Sequence, residues 1–403
     1  MPRGSVRGIA PSMAPDAERT SPSAGARRVV LVGAGLANLH VLRAWCRQPV
    51  AGAELVVVSP SSSTWYSGMV PGYLRGAYEP DMLRIDVAAL ARQARARFIE
   101  APAEGLDGAV NEVRVAGERL AYDICAIDVG SGVAGGDVPG VREHALALRP
   151  MSRALEVRAR LDSLARSSRP FAVVVVGAGA GGVEVVLAVQ QLLSNAGARA
   201  TVTLTDAALT LMPAAPAALQ SQAAALLAQR GIAAVLGARV SEVRTGSVWL
   251  SSGAVLPSDV TVWVTGAAAP PLAAATGLAR DSSGYLRVDP TLRVIGSSSV
   301  FAAGDCAALD GQPPLPRSGV HAVRQGPVLH RNLRAALGDG RPVSYRPRWR
   351  TLAILDTADG RAIAHWGDLH AHTRWAWWLK RSIDARFMRA QRGQCDEKPV
   401  PAS

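Results

Sequence analysis

Two continuous apolar runs, each ending in a glycine-rich turn, dominate the hydrophobic pattern of this chain. The first reads Val-Val-Leu-Val-Gly-Ala-Gly over residues 29–35, and the second reads Ala-Val-Val-Val-Val-Gly-Ala-Gly-Ala-Gly-Gly over residues 172–182. A short apolar run rich in β-branched residues predicts a strand buried on both faces of a parallel sheet. A helix and a second strand are predicted after each turn, so each region is expected to form a βαβ unit.

The other predicted elements surround these two units. In the first half we predict strands over residues 28–32, 54–59, 98–102, 109–115 and 122–129, and helices over residues 36–47 and 82–96. Residues 60–72 are dense in turn formers and predict a loop. In the second half we predict helices over residues 149–166, 182–195 and 216–230, and strands over residues 172–176 and 201–205.

The order of these elements predicts an α/β fold with two Rossmann-like dinucleotide-binding domains and a small C-terminal domain. The apolar run Val-Phe-Ala-Ala at residues 300–303 indicates a return to the first domain, so the second domain is expected to be inserted into it. The expected division is 1–26 for a disordered N-terminal segment, 27–150 and 286–341 for the two parts of the first domain, 151–285 for the inserted domain, and 342–403 for a C-terminal cap.

The distribution of charge and the spacing of the cysteines indicate which partners and which cellular compartment to expect. The net charge is +12, and all the lysine and arginine positions except Lys380 and Lys398 hold arginine. These arginines are dispersed and no binding module is visible, so no nucleic-acid partner is expected. No run of about 18 apolar residues occurs, so no transmembrane helix is predicted. The four cysteines show neither CxxC nor zinc spacing, which predicts a reducing, cytoplasmic environment and no metal site.

The second glycine turn carries the complete dinucleotide-binding pattern, Gly177-x-Gly179-x-x-Gly182, between a predicted strand and a predicted helix. Such a turn lets a pyrophosphate approach the backbone and the amino-terminal amides of the helix. The next strand ends at Asp206, which can accept a hydrogen bond from a ribose 2′-hydroxyl and repel a 2′-phosphate. The site is therefore expected to bind NADH in preference to NADPH.

The first glycine turn departs from the full pattern. Gly33-x-Gly35 is present, but Asn38 stands where the third glycine would be, and the second strand ends in Ser59 rather than in an acid. This turn still predicts a dinucleotide site, with the usual carboxylate for the adenosine ribose missing.

Several longer motifs resemble one family of flavoproteins. They are Trp-Tyr-Ser-Gly-Met-Val-Pro-Gly at residues 65–72, Ile-Asp-Val-Gly-Ser at 127–131, Gly-Val-His-Ala-Val-Arg-Gln-Gly-Pro at 319–327, and the Trp-rich segment at 366–388. From residue 27 to residue 389 the chain resembles the pyridine nucleotide-disulfide oxidoreductase superfamily, which includes type II NADH dehydrogenases and sulfide:quinone oxidoreductases. It is most similar to the flavoprotein module fused to selenophosphate synthase.

The resemblance implies that the first domain binds FAD and the inserted domain binds a nicotinamide nucleotide. FAD would be held by Gly33, Gly35, Gly130 and Asp305, because Gly304-Asp305 resembles the segment whose aspartate contacts the ribityl chain. The implied activity is hydride transfer from NADH to FAD and electron transfer to a second acceptor, for which a quinone is expected. The alternatives are a sulfide- or selenide-linked reductase, a reductase with a protein acceptor, and a redox-sensing module without turnover.

Four residues are candidates for catalysis. Glu184 is expected in the first turn of its helix. Its negative charge either interacts favourably with the helix dipole or faces the nicotinamide. The resemblance places the start of a helix at residues 319–329 beside the flavin ring, with Arg324 and Gln325 as polar candidates. His321 could donate a proton to a reduced acceptor, or could be a packed helix residue.

Two further features leave alternatives open. Residues 61–72, where disulfide reductases of the superfamily carry their cysteine pair, contain no cysteine, so Cys125 and Cys306 are the remaining candidates and are expected to be buried thiols. Near the C-terminus, large apolar residues recur every fourth position among arginines. This spacing predicts an amphipathic helix that either contacts a membrane surface, on the inner face, or packs on the protein.

Overall fold

The computed structural model describes residues 25–348, 350–367 and 369–393. In chain order, its first part contains β1 (Arg27–Val32), α1 (Leu36–Arg47), β2 (Ala53–Ser59), β3 (Ser63–Trp65), α2 (Val70–Leu74), β4 (Arg84–Asp86), α3 (Val87–Gln93), β5 (Arg97–Glu100), β6 (Ala103–Asp107), β7 (Glu112–Val115), β8 (Glu118–Ala121), β9 (Ile124–Ile127) and β10 (Gly132–Val133). The disordered segment expected at residues 1–26 lies almost entirely outside the described residues.

The middle of the chain contains α4 (Val141–His144), β11 (Ala145–Ala147), α5 (Ala154–Ala165), β12 (Phe171–Val176), α6 (Ala180–Asn195), β13 (Ala200–Asp206), α7 (Ala217–Gln229), β14 (Ala233–Leu236), β15 (Val240–Arg244), β16 (Gly246–Leu250), β17 (Val255–Ser258), β18 (Val260–Trp263) and β19 (Ala267–Ala268). The last part contains α8 (Pro271–Ala274), β20 (Leu286–Val288), β21 (Val300–Ala302), β22 (Ala307–Leu309), α9 (Gly319–Ala336), β23 (Ala353–Asp356), β24 (Ala362–Trp366), β25 (Leu369–Thr373) and α10 (Arg374–Arg392).

Two five-stranded parallel sheets form the centre of the fold. The first has the strand order β21-β9-β1-β2-β5, and the second has the order β11-β18-β12-β13-β14. All neighbours in both sheets are parallel, and the buried runs of β1 and β12 lie inside their sheets, as the continuous apolar patterns predict. The α/β prediction with two Rossmann-like sheets is confirmed.

The first sheet is closed by a late part of the chain. Strand β21 pairs with β9, with Val300 opposite Cys125, although the two strands are far apart in sequence. Helix α9 then packs against α1 beside the same sheet. The return of the chain to the first sheet after residue 300 agrees with the inserted order of elements, and the numerical domain boundaries remain predictions.

Two local predictions were wrong. Residues 60–72 were expected to form a loop, but they contain β3 and the start of α2, where Pro71 is tolerated because it lies in the first turn. The helix predicted at 82–96 covers only Val87–Gln93. It begins late because Ile85 lies in a strand that pairs with β3, and the Asp86 carboxylate then caps the helix by accepting from the Ala89 amide at 2.8 Å.

The C-terminal part is a three-stranded antiparallel sheet, β23-β24-β25, covered by α10. The side chain of Thr373 caps α10 by accepting a hydrogen bond from the Ala376 amide at 3.1 Å. In the described part of the chain no helix combines the length and the apolar character needed to cross a bilayer.

Candidate functional site

The first glycine turn lies at the carboxyl end of β1, where a parallel sheet places its ligands. Gly33 has a φ of +89°, and a Cβ there would clash with the backbone of Asp128. The Gly33 amide donates to the Val58 carbonyl at 2.8 Å, which ties the turn to β2. Helix α1 begins directly after Gly35. The turn therefore has the tight backbone that a diphosphate cradle requires.

Asn38 explains why the third glycine can be absent from this turn. Its side chain is buried, and Nδ2 lies 3.2 Å from the Val32 carbonyl oxygen, 2.9 Å from that of Gly33 and 3.2 Å from that of Ala126. The amide thus joins α1 to the ends of β1 and β9. A cofactor-binding role for Asn38 is therefore indirect, through the shape of the turn.

Asp128 is the residue of this cradle that sequence reasoning missed. Its buried carboxylate accepts hydrogen bonds from the amides of Ala37 at 2.8 Å and Asn38 at 3.1 Å, at the amino end of α1. A Cβ at either Gly35 or Gly304 would clash with this carboxylate. The sequence did contain a signal for Asp128, because it is a charged residue that directly follows the apolar strand β9.

Ser59 ends β2, as expected, and its hydroxyl donates to the Ser61 carbonyl at 3.0 Å. A carboxylate does lie next to it, on the neighbouring strand. Glu100 is the register partner of Ser59 at the end of β5, and it accepts from the Ser62 amide at 2.7 Å. Sequence reasoning considered only the acid at the end of β2, so it missed Glu100.

The second glycine turn has the same construction at the end of β12. Gly177 has a φ of +119° and donates its amide hydrogen to the Thr205 carbonyl at 2.8 Å. A Cβ at Gly182 would lie 1.8 Å from the Gly177 carbonyl oxygen, so α6 can approach the turn only with glycine there. A Cβ at Gly179 would meet nothing within 4 Å, which leaves open space in front of the turn.

Asp206 is fixed at the carboxyl end of β13 beside this turn. One carboxylate oxygen accepts from the Ala178 amide and the other from the Ala208 amide, both at 2.7 Å. The carboxylate is only partly buried, so its remaining lone pairs can face a ligand. This is the arrangement expected of a residue that binds a ribose hydroxyl.

The segment Gly304-Asp305 reaches the first cradle from β21. The Gly304 amide donates to Gln325 Oε1 at 2.6 Å, so Gln325 positions this turn from helix α9. The Asp305 carboxylate lies 3.5 Å from the Arg149 guanidinium, which also donates to the Ser131 hydroxyl at 2.7 Å. Arg149 was not a sequence-based candidate.

Gly130 also belongs to this edge of the first cradle. It has a φ of +71°, and a Cβ there would meet nothing within 4 Å. The open space agrees with a backbone that a ligand approaches closely.

His321 and Arg324 lie on α9 with different surroundings. His321 is buried, and its Nδ1 is 2.9 Å from the Tyr345 hydroxyl. Burial lowers the pKa of His321, and the Arg324 charge lowers it further, so the ring is neutral near pH 7. The geometry supports the packed-residue alternative for His321. Arg324 keeps one buried guanidinium nitrogen, Nη1, without a hydrogen-bond partner.

A family model described as pyridine nucleotide-disulphide oxidoreductase matches residues 27–326, which is well over half of the chain. The chain belongs to this family. The match covers both glycine turns and extends past Gln325 to residue 326, so the two cradles described above lie inside the shared region.

Curated relatives and solved structures extend the similarity beyond the family match. An NADH dehydrogenase-like protein of Mycobacterium tuberculosis is 28% identical over 355 residues, covering 83% of this chain and 87% of the relative. The type II NADH:quinone oxidoreductase Ndh of the same species is 24% identical, covering 83% of this chain and 78% of the relative. NDH2 from Plasmodium falciparum, solved with NADH, has the same fold with a TM-score of 0.77 at 14% identity, covering 90% of this chain and 96% of that one. The sulfide:quinone oxidoreductase from Aquifex aeolicus also has a TM-score of 0.77, at 19% identity and with coverage of 91% and 92%.

Glu184 occupies a different place on its helix from the one predicted. Helix α6 begins at Ala180, so Glu184 lies in the second turn and the expected first-turn dipole contact is wrong. Its carboxylate accepts from the Asp356 amide at 2.8 Å, which joins α6 to the C-terminal sheet. Burial raises the pKa of Glu184 to about 7, although the Lys380 charge and the Asp356 amide lower it.

Lys380 links Glu184 to a network on α10. Its ammonium group donates to Asp384 at 3.2 Å and to the Gly68 carbonyl at 2.8 Å, and Asp384 also accepts from the Tyr66 hydroxyl at 3.1 Å. Burial raises the pKa of Asp384 while Lys380 lowers it. The network therefore brings two carboxyl groups with raised pKa values near one ammonium group.

A cavity of about 530 Å³ lies beside this network, between α10 and residues 69–82. Its lining combines apolar residues with charged ones: Met69, Tyr78, Met82, Ala385 and Met388 on the one hand, and Arg381, Asp384, Arg389 and Arg392 on the other. Methionines suit a pocket for a flat apolar ligand because their side chains are flexible and polarisable. Sequence reasoning identified no residue of this cavity as a site residue.

The cysteines do not form a redox centre in the described residues. Cys125 and Cys306 are free and buried, as predicted, and burial raises the pKa of both thiols, that of Cys306 to about 12. Such thiols are poor nucleophiles near neutral pH.

Helix α10 exposes several large apolar residues and turns one charged pair towards the protein. Trp375 is 68% exposed and Trp378 is 61% exposed, and Ile383 is exposed beside them. The inward line of the helix instead contains Lys380 and the buried Asp384. Exposed Trp366 and Leu369 on the β24–β25 hairpin extend the apolar surface of the C-terminal part.

Proposed function

We propose that this protein is an FAD-dependent oxidoreductase that takes hydride from NADH and delivers electrons to a quinone. The observation that carries the proposal is the presence of two glycine cradles in one chain, each with a left-handed first glycine and an adjoining carboxylate. The relatives named as type II NADH:quinone oxidoreductases support the choice of donor and acceptor.

In this proposal each cradle holds one nucleotide. FAD lies against Gly33, Gly35, Gly130 and Asp305, with Asn38 and Ser59 supporting the turn and the end of β2. When bound, FAD would supply the two-electron chemistry. The chain contributes the tight turns, the amide donors of two helix ends and the fixed positions of the carboxylates.

The nicotinamide nucleotide lies against Gly177, Gly179 and Gly182, with its ribose on Asp206. Because both oxygens of Asp206 are held by backbone amides, the carboxylate cannot swing away to make room for a 2′-phosphate. We therefore propose that NADH is preferred to NADPH, by the like-charge repulsion between the carboxylate and that phosphate.

The cavity beside α10 is our candidate acceptor site. Reduction of a quinone to a quinol takes two electrons and two protons, and hydride from NADH brings both electrons and one proton. The second proton must come from the protein or from solvent. Glu184 and Asp384 are suited to hold it because both have raised pKa values and both contact Lys380 or lie beside it. Gln325 and Arg324 remain candidates for positioning at the flavin edge.

We also propose that the outward face of α10 contacts the surface of a membrane. Tryptophans favour the interface between water and lipid, and the exposed Arg374 and Arg389 of the same helix are suited to anionic headgroups. A lipid-soluble quinone would then enter the adjacent cavity from the bilayer. The packed alternative is not supported for Trp375 and Trp378, whose side chains lie mostly in solvent.

The proposal is tested by steady-state turnover of the purified full-length chain with NADH and a short-chain quinone, compared with sulfide, disulfides and reduced or oxidised ferredoxin. We expect NADH:quinone turnover, and flavin reduction without turnover by any quinone would favour the redox-sensing alternative. Co-sedimentation with anionic vesicles tests the membrane contact. The double variant Trp375→Ser with Trp378→Ser is expected to lose vesicle binding. The control Leu209→Ser changes an exposed apolar residue far from α10 in the sequence and is expected to retain it.

A further inference from the structure

Asp128 lies between the two loops that form the first cradle. The residue is 1% exposed, and its carboxylate sits where a Cβ at Gly35 or at Gly304 would clash with it. These two glycines belong to the β1–α1 turn and to the turn after β21. A buried carboxylate therefore occupies the floor of the site in which the function proposed above places the diphosphate of FAD.

The carboxylate already uses part of the positive end of α1. The amides of Ala37 and Asn38, which donate to Asp128, are two of the four amino-terminal amides that an α-helix leaves without partners. An anion at this end of a helix is stabilised by the aligned peptide dipoles. An ionised Asp128 and a bound diphosphate therefore compete for the same favourable potential.

No cation neutralises Asp128 within the described ranges of the chain. No lysine or arginine there forms an ion pair with it, and the charged group that acts on it from the next loop is Asp305, of like sign. Arg149 is directed to Asp305, and the other titratable neighbour, the Cys306 thiol, is neutral. Burial raises the pKa of Asp128 to about 7, although the two amide donors lower it. Without a ligand, the carboxyl group therefore exchanges its proton in the neutral range, well above the ordinary range of an aspartate.

We propose that Asp128 sets the affinity of this protein for FAD by its charge, and that binding of the FAD diphosphate is accompanied by uptake of a proton at Asp128. Two like charges in one buried site cannot both be accommodated without a large electrostatic cost, and protonation of the carboxyl group removes that cost. The inference rests on the FAD site of the proposed function and deepens it.

The sign of the pH dependence follows from linkage. If bound FAD raises the pKa of Asp128, FAD binds most tightly at a pH below about 7, where the carboxyl group is already protonated. Above that value the dissociation constant is expected to rise by up to about tenfold per pH unit, because one proton must be taken up for each FAD bound. The rise ends where the pH passes the pKa of Asp128 in the complex.

The test is calorimetric titration of FAD into the flavin-stripped full-length chain, at about pH 8, in two buffers with different ionisation enthalpies. The difference in heat gives the number of protons taken up. We expect uptake approaching one proton per FAD for the wild type and none for Asp128→Asn, whose affinity should not change between about pH 6 and about pH 9. At about pH 9 the Asp128→Asn variant should bind FAD at least about tenfold more tightly than the wild type.

The matched control is Asp137→Asn, which removes the same charge from an exposed position of the same part of the chain and should keep the wild-type uptake. Absence of proton uptake in the wild type, wild-type uptake in Asp128→Asn, or loss of FAD affinity in that variant at every pH would overturn the proposal. If Asp128→Asn does not fold, Asp128→Ala is measured in its place, and the wild-type uptake alone remains decisive. A chain that binds no FAD at any pH contradicts the proposed function, whereas FAD binding without proton uptake contradicts only this inference.

Discussion

Gly182 provides the sharpest test of the nicotinamide cradle. In Gly182→Ala the new Cβ would lie 1.8 Å from the Gly177 carbonyl oxygen, and such contacts are essentially never below 3.0 Å. To bring this distance from 1.8 Å to 3.0 Å, the turn and α6 must move apart by about 1.2 Å. The close packing of the neighbouring strand opposes that movement. Overpacking of this kind costs about 1 to 3 kcal/mol of stability. A displacement of about 1 Å in a reacting group can lower a rate by about 100-fold.

The assay measures the rate at which NADH reduces the bound flavin. Enzyme and NADH are mixed rapidly without oxygen, and the loss of flavin absorbance is recorded. We expect Gly182→Ala to retain FAD, because the first cradle is untouched, and to reduce it about 100-fold more slowly than the wild type or only at much higher NADH concentration. Gly181→Ala is the control, because a Cβ there would meet nothing within 4 Å. Flavin reduction by Gly182→Ala at the wild-type rate and NADH concentration would refute the reasoning.

Four other substitutions test separate parts of the site. Asp206→Ala should lower the ratio of kcat/KM for NADH to that for NADPH by at least about tenfold, because the repulsive carboxylate is gone; an unchanged ratio contradicts this role. Asn38→Ala should lower the free energy of unfolding by about 2 kcal/mol in urea titrations, because three carbonyl groups lose a shared donor; unaltered stability would argue against the bridge. Combined Cys125→Ala and Cys306→Ala should leave NADH:quinone turnover within about twofold, whereas loss of turnover would favour the sulfide alternative. Glu184→Gln should remove the decline of quinone turnover that we expect above about pH 7, where the wild-type carboxyl group loses its proton; a wild-type pH profile would exclude Glu184 as the donor.

Most of the fold could be predicted because its signals are local. The apolar runs before Gly33 and Gly177 specify buried parallel strands, and the glycines specify the turns that follow. The error at Glu184 arose because the helix was predicted to begin at Gly182, whereas α6 begins at Ala180 and includes Gly181, although glycine is a poor helix former. Tertiary packing decides such helix ends, and a single sequence does not contain that information in a local form.

The parts of the site that were missed depend on long-range contacts. Asp128 is adjacent to β9 in sequence, but its partners belong to α1 and to the turn after β21. On α10 the apolar spacing predicted an amphipathic helix and left open whether its apolar face contacts a membrane or packs on the protein. Lys380 and Asp384 lie inward, where Glu184 and Tyr66 provide their counter-charge and hydrogen-bond partner. Periodicity identifies two faces of a helix, and only the neighbouring elements determine which face is covered.

The central claim is that two nucleotides bind to this one chain so that a nicotinamide can reduce a flavin. The most direct measurement is the absorbance of the purified chain at about 450 nm during stepwise anaerobic addition of NADH. The account predicts a bound-flavin band that bleaches with one equivalent of NADH per flavin and returns when a quinone is added. A purified chain that binds no flavin, or a bound flavin that NADH does not bleach, would contradict it.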